Sequence, residues 1–283
     1  MMCCSRLAAS IAALVAALPF AGGCASPPAP LSVMTFNVRY ANPGDGDDVW
    51  ENRTELVFGV IRRHAPDIVG LQEALPSQMD ELRAAFPGYQ FIGQGREGGR
   101  RGEFSALMVK RERLAVVESG DFWLSPTPDE VGSRGWDAAL PRMCTWAVLR
   151  DRTSGDSFLA MNTHFDHRGR EARRESARVI LAQRARHAEL PLVLTGDLNA
   201  GEDSPPLSEL RAGGLRDTFR DVYPGAATVG TFNGFRGESN GAKIDYVLVD
   251  DGWRVLCAEI VRDHDGGRYP SDHYPVIAAL VRR

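Results

Sequence analysis

The chain has 283 residues, of which 43% are hydrophobic and 25% are charged, and its formal net charge is -4. This is ordinary globular composition, and the length suits one large α/β domain or two small ones with a sizeable core. The mildly acidic charge argues against a basic surface for non-specific nucleic-acid binding. A nucleic-acid substrate stays possible, because a divalent metal can neutralise phosphate locally.

The N-terminal segment predicts export. Residues 1–23 combine a short start containing one Arg with an apolar stretch that is too short for a membrane span, which is typical of a signal peptide. A Pro-rich spacer follows over 24–30, and AGGC ending at Cys24 resembles a bacterial lipobox, although Ala21 stands where Leu is commoner. We expect lipid attachment at Cys24. The alternative is ordinary cleavage nearby, for example after Ala25, and either route places the protein in the periplasm, on a membrane or outside the cell.

Only two of the five cysteines lie beyond this segment, Cys144 and Cys257, and both stand in strand-like sequence. An exported pair can form a disulfide. Two buried free thiols remain the alternative, because strand geometry rarely brings cysteines together by chance. Their spacing predicts no metal site.

Beyond Pro30, short apolar runs alternate with amphipathic stretches and turn clusters. Predicted strands, in chain order, cover 31–39, 66–73, 89–93, 104–110, 114–124, 143–150, 157–164, 191–197, 243–250, 253–261 and 273–281. Predicted helices cover 50–64, 76–85 and 169–187. We find no internal repeat and no linker, so residues 31–283 form one predicted domain. The excess of strands favours two packed sheets with helices outside over one alternating parallel sheet.

Polar residues follow several of the apolar strands. The set comprises Asn37, Glu73, His164 with Asp166 and His167, Asp197 with Asn199, Asp245, and the adjacent pair Asp272 and His273. Each residue alone fits a turn or a surface position. Together they supply several carboxylates, histidines and amides at strand ends, which turn chemistry alone does not predict. Hard oxygen donors with few cysteines favour Mg²⁺ or Mn²⁺ over a structural zinc.

Asp245 carries the clearest physical argument. It lies within the apolar strand KIDYVLV, where both faces are largely hydrophobic. A carboxylate in such a place is costly unless it is paired or bound to metal. A histidine partner would turn this cost into catalysis, because the carboxylate would fix the histidine tautomer and raise its basicity.

Six ordered blocks resemble the endonuclease/exonuclease/phosphatase superfamily, which has the DNase I-like fold. They are TFNVR, LQE, NTHFDHRG, TGDLNA, KIDYVL and SDHYPV, and they extend over about residues 31–283. The resemblance implies an α/β (α+β) protein, a four-layer αββα sandwich whose two mixed β-sheets lie face to face with helices outside. GDGDDVWENR and GSRGWDAALPRMCTW resemble an exported bacterial branch of mostly uncharacterised members.

The resemblance also implies roles for individual residues. Glu73 would be the main metal ligand, with Asn37 and Asp272 near the metal or the phosphate. His273, oriented by Asp245, would contact the phosphate as a general base or as an electrostatic partner. Asp197 would align or deprotonate the attacking water. Asn199 would hold a phosphate oxygen, and His164 would stabilise charge in the transition state.

Four further residues are candidates for substrate binding. Arg142 is expected to contact an anion, with a structural salt bridge as the alternative. Asp166 and His167 follow His164 directly. Trp136 lies in a long loop, where it can stack on a sugar or base or pack the loop.

These observations predict an exported Mg²⁺- or Mn²⁺-dependent phosphohydrolase. It would cleave a phosphate mono- or diester on a small molecule, glycan or lipid head group, such as a sugar phosphate. A secreted nuclease acting on DNA or RNA is the second hypothesis, and a carbohydrate-active or binding protein that reuses the fold is the third. The chain is expected to be a monomer that is held at the membrane through Cys24.

Overall fold

The computed structural model describes residues 29–283, so the predicted signal peptide, Cys24 and most of the spacer lie outside the described residues. The strands are β1 (Leu31–Asn37), β2 (Ile68–Ala74), β3 (Tyr89–Ile92), β4 (Phe104–Lys110), β5 (Leu114–Trp123), β6 (Met143–Asp151), β7 (Ser157–His164), β8 (Leu192–Asp197), β9 (Arg216–Asp217), β10 (Asp245–Val249), β11 (Trp253–Ile260) and β12 (Val276–Arg282). The α-helices are α1 (Trp50–His64), α2 (Pro76–Ala85), α3 (Arg170–Arg184), α4 (Pro205–Ala212) and α5 (Thr218–Val222).

The strands form two six-stranded mixed sheets, which confirms the predicted architecture. Sheet A has the order β11-β12-β1-β2-β4-β3, and sheet B has the order β5-β6-β7-β8-β10-β9. Each sheet contains one parallel pair near its centre, β1 with β2 in sheet A and β7 with β8 in sheet B. The ends of these central strands therefore meet at the same edge of the sandwich.

Three hydrophobic clusters separate the four layers. The central cluster joins the facing sides of the two sheets, with Val33 and Ile68 from sheet A and Val193 and Val247 from sheet B. A second cluster buries one face of α1 and α2 against the outside of sheet A. A third buries α3 and α4 against the outside of sheet B. Helix faces thus cover both sheets, which is how amphipathic helices stabilise such layers.

Element boundaries differ from the prediction in places that matter for the site. The first strand ends at Asn37 because the chain turns at Arg39, whose φ is 56°. The last strand begins only at Val276, so Asp272 and His273 lie in an irregular segment before it. The sequence pattern also missed α4 and α5, which are eight and five residues long. Helices this short show too few turns for a clear periodic signal.

The structure shows that Cys144 and Cys257 do not form a disulfide with each other. Cys144 is a buried free thiol on β6 of sheet B, whereas Cys257 lies on β11 of sheet A. The two residues are therefore not joined to each other. Over residues 29–283, no helix is long and apolar enough to cross a membrane.

Candidate active site

Strands from both sheets deliver polar side chains to one edge of the sandwich. Asn37 and Glu73 stand at the ends of the parallel strands β1 and β2. His164 and Asp197 end the parallel strands β7 and β8 and lie opposite each other in the ladder. Asp245 begins the antiparallel strand β10, and its register partner is also Asp197. Five strands therefore converge on one small volume.

An open cleft of about 880 Å³ lies at this edge, lined by Glu73, His164 and Asp197, whereas Asn37 and Asp245 are buried behind it. The lining includes Arg39, Tyr40, Glu73, Arg96, Glu103, Leu140, Arg142, His164, His167, Asp197, Asn199, Phe232, Glu238, Asn240, Gly241, Ala242, Ile244, Asp272 and His273. Most of the predicted site residues thus share a single cavity.

His273 and Asp245 form the acid–histidine pair expected from the sequence. His273 Nδ1 lies 2.9 Å from Asp245 Oδ2, and both side chains are buried. Burial alone would lower the pKa of His273, but the charges of Asp245 and Asp197 outweigh it and raise that pKa well above its usual value. Both carboxylates therefore favour the protonated imidazole, whose Nε2 lies 3.9 Å from Asp197 Oδ2.

Asp197 lies at the centre of the constellation. Its Oδ2 accepts a hydrogen bond from Asn37 Nδ2 at 3.0 Å and is 3.5 Å from His164 Nε2. Its Oδ1 accepts from the backbone N–H of Asn199 at 2.9 Å. Burial, with a further contribution from the charge of Asp245, raises the pKa of Asp197 to about 7. A carboxylate of this basicity can accept a proton near neutral pH.

Glu73 is presented by an irregularity in β2. The pairing of β2 with β4 shifts register between Leu71 and Ala74, and Glu73 has a φ of 65°. Its Oε1 accepts from Asn37 Nδ2 at 2.9 Å, and its Oε2 accepts from the backbone N–H of Tyr40 at 3.2 Å. Asn37 therefore lies between the carboxylates of Glu73 and Asp197 and donates to both.

Asp272 reaches the same cleft from the segment before β12. Its Oδ2 lies 3.8 Å from Arg39 Nε, and burial raises its pKa. Ser271 Oγ donates to the Asn37 carbonyl at 2.6 Å, which ties this segment to the end of β1. The buried guanidinium of Arg53 adds a second tie, because it donates to backbone carbonyls on both sides, including those of Arg39 at 2.7 Å and Pro270 at 3.0 Å.

His164 and Asn199 make a neutral pair beside Asp197. The Asn199 amide Nδ2 lies 3.0 Å from His164 Nε2 and 3.1 Å from the Phe165 carbonyl. Because an amide nitrogen can only donate, Nε2 accepts and the ring proton is on Nδ1. Burial, followed by the charge of Arg142, lowers the pKa of His164 well below its usual value. Both Asn199 N–H groups are thus directed at protein acceptors, so this amide orients His164.

Arg142 and His167 form one end wall of the cleft. Arg142 Nη2 lies 3.1 Å from His167 Nδ1, and Arg142 Nε has no hydrogen-bond partner although it is buried. The nearest carboxylate, Asp166 Oδ2, is 3.6 Å from Nε. Because Arg142 lines the cleft and its guanidinium is always charged, it is suited to binding an anion there.

Two predicted substrate-binding residues lie elsewhere. Asp166 lies behind Arg142, where its carboxylate accepts from the backbone N–H groups of Ala139, Leu140, Arg168 and Gly169. This carboxylate organises the loops around the cleft and has little capacity left for a substrate. Trp136 is 40% exposed and is outside the cleft lining.

The structure adds residues that the sequence pattern did not single out. Arg39 and Arg96 bring two further cations to the cleft, and Glu103 pairs with Arg96 at 2.7 Å. Phe232 is 48% exposed, and its ring lies edge-on to His273 with 5.2 Å between centroids. Its backbone bridges to that of His273, which fixes the two side chains relative to each other. Of these residues, only Arg39 belongs to a recognised block, TFNVR.

The donors at this edge fit a hard divalent cation. Ligand atoms of Glu73, His164 and Asp197 lie within 4.8 Å of one another, as do those of Asp197, Asp245 and His273. Asp245 Oδ1 is buried without a hydrogen-bond partner. Several buried carboxylates at one point repel each other, and a divalent cation with a preference for oxygen ligands would relieve this repulsion.

Comparison with known proteins decides the family. The sequence model of the endonuclease/exonuclease/phosphatase family matches residues 34–273. The chain belongs to this family. The family takes its name from nucleases and phosphatases, which both act on phosphoester bonds.

Two solved bacterial structures are similar over most of their length. A family protein from Bacteroides thetaiotaomicron is 35% identical with a TM-score of 0.85, over 91% of this chain and 100% of that one. A mannosyl-6-phosphatase from the same organism is 36% identical with a TM-score of 0.82, over 89% of this chain and 99% of the other. Human tyrosyl-DNA phosphodiesterase 2 is 24% identical over 198 residues, and the match spans about half (47%) of that curated relative.

Proposed function

We propose that the protein is a divalent-metal-dependent phosphatase that hydrolyses a phosphate monoester of a sugar or a similar small polyol. The observation that carries this proposal is the cleft itself, where His273, paired with the buried Asp245, lies with Asp197, Glu73 and the guanidinium of Arg142. The similarity to a mannosyl-6-phosphatase supports a sugar phosphate as the substrate.

The charge of the cleft favours a small substrate over nucleic acid. Its lining has five carboxylates, Glu73, Glu103, Asp197, Glu238 and Asp272, against three arginines, Arg39, Arg96 and Arg142. Nucleic-acid grooves are strongly positive because phosphate contacts dominate their affinity. The lining also includes the exposed ring of Phe232 and the polar side chains of Glu238 and Asn240. An apolar ring face with polar side chains around it suits a hydroxylated ring.

In the proposed mechanism, Glu73 and Asp272 would hold a Mg²⁺ or Mn²⁺ ion, with Asn37 orienting Glu73 and Asp197. When bound, the ion would supply charge neutralisation and polarise the phosphoryl oxygen. Asp197 accepts the proton of the attacking water as the water oxygen bonds to phosphorus. The bond between phosphorus and the sugar oxygen breaks, and the leaving alkoxide takes a proton from solvent in the open cleft. His273, kept protonated by Asp245, donates to the phosphoryl oxygens, and Arg142 binds the remaining negative charge.

A metal-supplemented substrate screen tests this proposal. With Mn²⁺, we expect release of inorganic phosphate from mannose 6-phosphate and p-nitrophenyl phosphate, and loss of this release on chelation. Bis-(p-nitrophenyl) phosphate and supercoiled plasmid are the matched diester substrates. Nicking of plasmid without release from monoesters would support the nuclease hypothesis instead. Sugar binding without hydrolysis of any phosphoester would support the binding-protein hypothesis.

We also propose that the enzyme works outside the cytoplasm as a monomer attached to the membrane through a lipid at Cys24. The support is the signal-like segment 1–23 and the lipobox-like AGGC that follows. A phosphatase in this place would act on phosphorylated sugars, glycans or lipid head groups in the periplasm or at the cell surface.

A further inference from the structure

The main candidate metal ligand stands on a β-bulge. Leu71 pairs with Ala106 and Ala74 pairs with Phe104, so Gln72 and Glu73 together oppose the single residue Ser105. Glu73 adopts a φ of 65° there. A left-handed conformation in a residue other than glycine is strained and persists only where the surroundings impose it. Something must therefore hold the bulge in place.

The side chain of Asn162, on β7 of sheet B, holds the bulge in place. Its Nδ2 donates to the carbonyl of Leu71 at 2.8 Å and to that of Ala106 at 2.9 Å, the residue pair directly before the bulge. Its Oδ1 accepts from Gln72 Nε2 at 2.6 Å and from Thr195 Oγ1 at 3.0 Å. The side chain is fully buried, and both donors and both lone pairs of its amide are used.

Gly70 makes room for this amide. A Cβ at position 70 would lie 2.4 Å from Asn162 Oδ1 and 2.1 Å from Thr195 Oγ1. The two sheets therefore approach so closely here that a side chain on β2 is excluded. Asn162 also lies two residues before His164 on β7, and Thr195 lies two residues before Asp197 on β8. The same network thus spans strands that end in the site.

We propose that Asn162 is a positioning residue for the metal site, because it clamps the bulge that directs Glu73 into the cleft. The inference rests on the proposed function in one respect, namely that Glu73 binds the metal. Without the amide, the carbonyls of Leu71 and Ala106 lose their donor, and the bulge can relax toward regular pairing. Glu73 would then move away from Asn37 and Asp197, and the metal site would lose a ligand.

The test measures metal binding directly in the metal-free protein. Asn162→Asp keeps the shape but removes the two donors, and Asn162→Ser leaves space for a water if the buried carboxylate prevents folding. We expect ~10- to 100-fold weaker Mn²⁺ binding by calorimetry in either variant that folds, as found when groups supporting a metal ligand are removed. Circular dichroism establishes which variants are folded.

Thr163→Val is the matched control. Thr163 is the next residue on the same strand, is equally buried, and donates one hydrogen bond to the Met143 carbonyl, away from the bulge. We expect a loss of stability but Mn²⁺ affinity within about twofold of wild type, since this bond is an ordinary buried one. Folded Asn162 variants that bind Mn²⁺ as tightly as Thr163→Val would overturn the inference while leaving the proposed function intact. A wild-type protein that binds no Mn²⁺ would overturn both.

Discussion

Single residues in the cleft have their protonation states set by burial and by their nearest charged neighbours. His164 and His273 are both buried histidines that end or follow strands at the same edge. Their pKa values are nevertheless shifted in opposite directions. Burial, followed by the charge of Arg142, lowers that of His164, whereas the charges of Asp245 and Asp197 outweigh burial at His273 and raise its pKa. The different roles that the family resemblance implies for the two imidazoles agree with these opposite shifts.

At this scale we predict that Asp245→Asn lowers kcat by on the order of 10²- to 10⁴-fold with a smaller change in KM. The amide cannot stabilise a protonated His273 and does not fix its tautomer. Steady-state kinetics on p-nitrophenyl phosphate measure the effect.

Asp250→Asn provides the control for this substitution. Asp250 directly follows the same strand, is also buried, and accepts from the Leu192 N–H and from Arg184, away from the cleft. It should lose stability but keep kcat. Equal losses of kcat in both variants would show that Asp245 acts only through stability.

At the scale of secondary structure, buried polar groups hold the loops and the helix N-termini around the cleft in place. Asp166 joins the loop that holds Ala139 and Leu140 to the chain entering α3, through Arg168 and Gly169. Burial of the carboxylate opposes ionisation, but these N–H donors outweigh it and lower the pKa of Asp166 to about 2.

A pH-dependent stability difference follows for Asp166. Because the folded-state pKa lies below the usual 3.8, the carboxylate stabilises the protein above about pH 4, and this contribution is lost as the pH falls toward about 2. We predict that Asp166→Asn lowers the free energy of unfolding by about 1–3 kcal/mol at neutral pH and by less near pH 3. Urea unfolding at both pH values measures the difference.

The exposed Asp251, whose side chain is 91% accessible, supplies the control. Asp251→Asn should change the free energy of unfolding little at either pH, as surface substitutions usually do. A difference between wild type and Asp166→Asn that stays constant or widens in acid would contradict the role given to this carboxylate.

At the scale of the whole molecule, the catalytic edge is built from both sheets. The described strands and helices lie within residues 31–282, and the residues that line the cleft lie between Arg39 and His273.

We therefore predict that Cys24→Ala separates location from activity. In a bacterial host, the full chain should fractionate with membranes and the variant with soluble exported protein, because one lipid anchor is removed. Both should have the same kcat/KM for p-nitrophenyl phosphate. Retention of the variant in the membrane fraction would contradict lipid attachment at Cys24, and loss of activity would contradict an independent domain over 31–283.

The sequence by itself determined the sandwich fold and the family, and most of the site residues it predicted line the cleft. Apolar strands with turn signals between them encode the sheets, and the blocks around Glu73, Asp197 and His273 carry side chains that no turn requires. A carboxylate inside an apolar strand indicated a histidine partner for Asp245, and the family resemblance implied that this partner is His273, as the structure shows.

Only the tertiary structure decided which atoms these side chains contact. The bulge at Glu73, the clamp of Asn162 and the approach of Phe232 to His273 depend on contacts between segments far apart in the chain. Asp166 follows a predicted catalytic strand, yet backbone donors from the loop at Ala139 occupy its carboxylate. Local sequence specifies which side chains lie near a strand end, but register and sheet-to-sheet distance determine which atoms they meet.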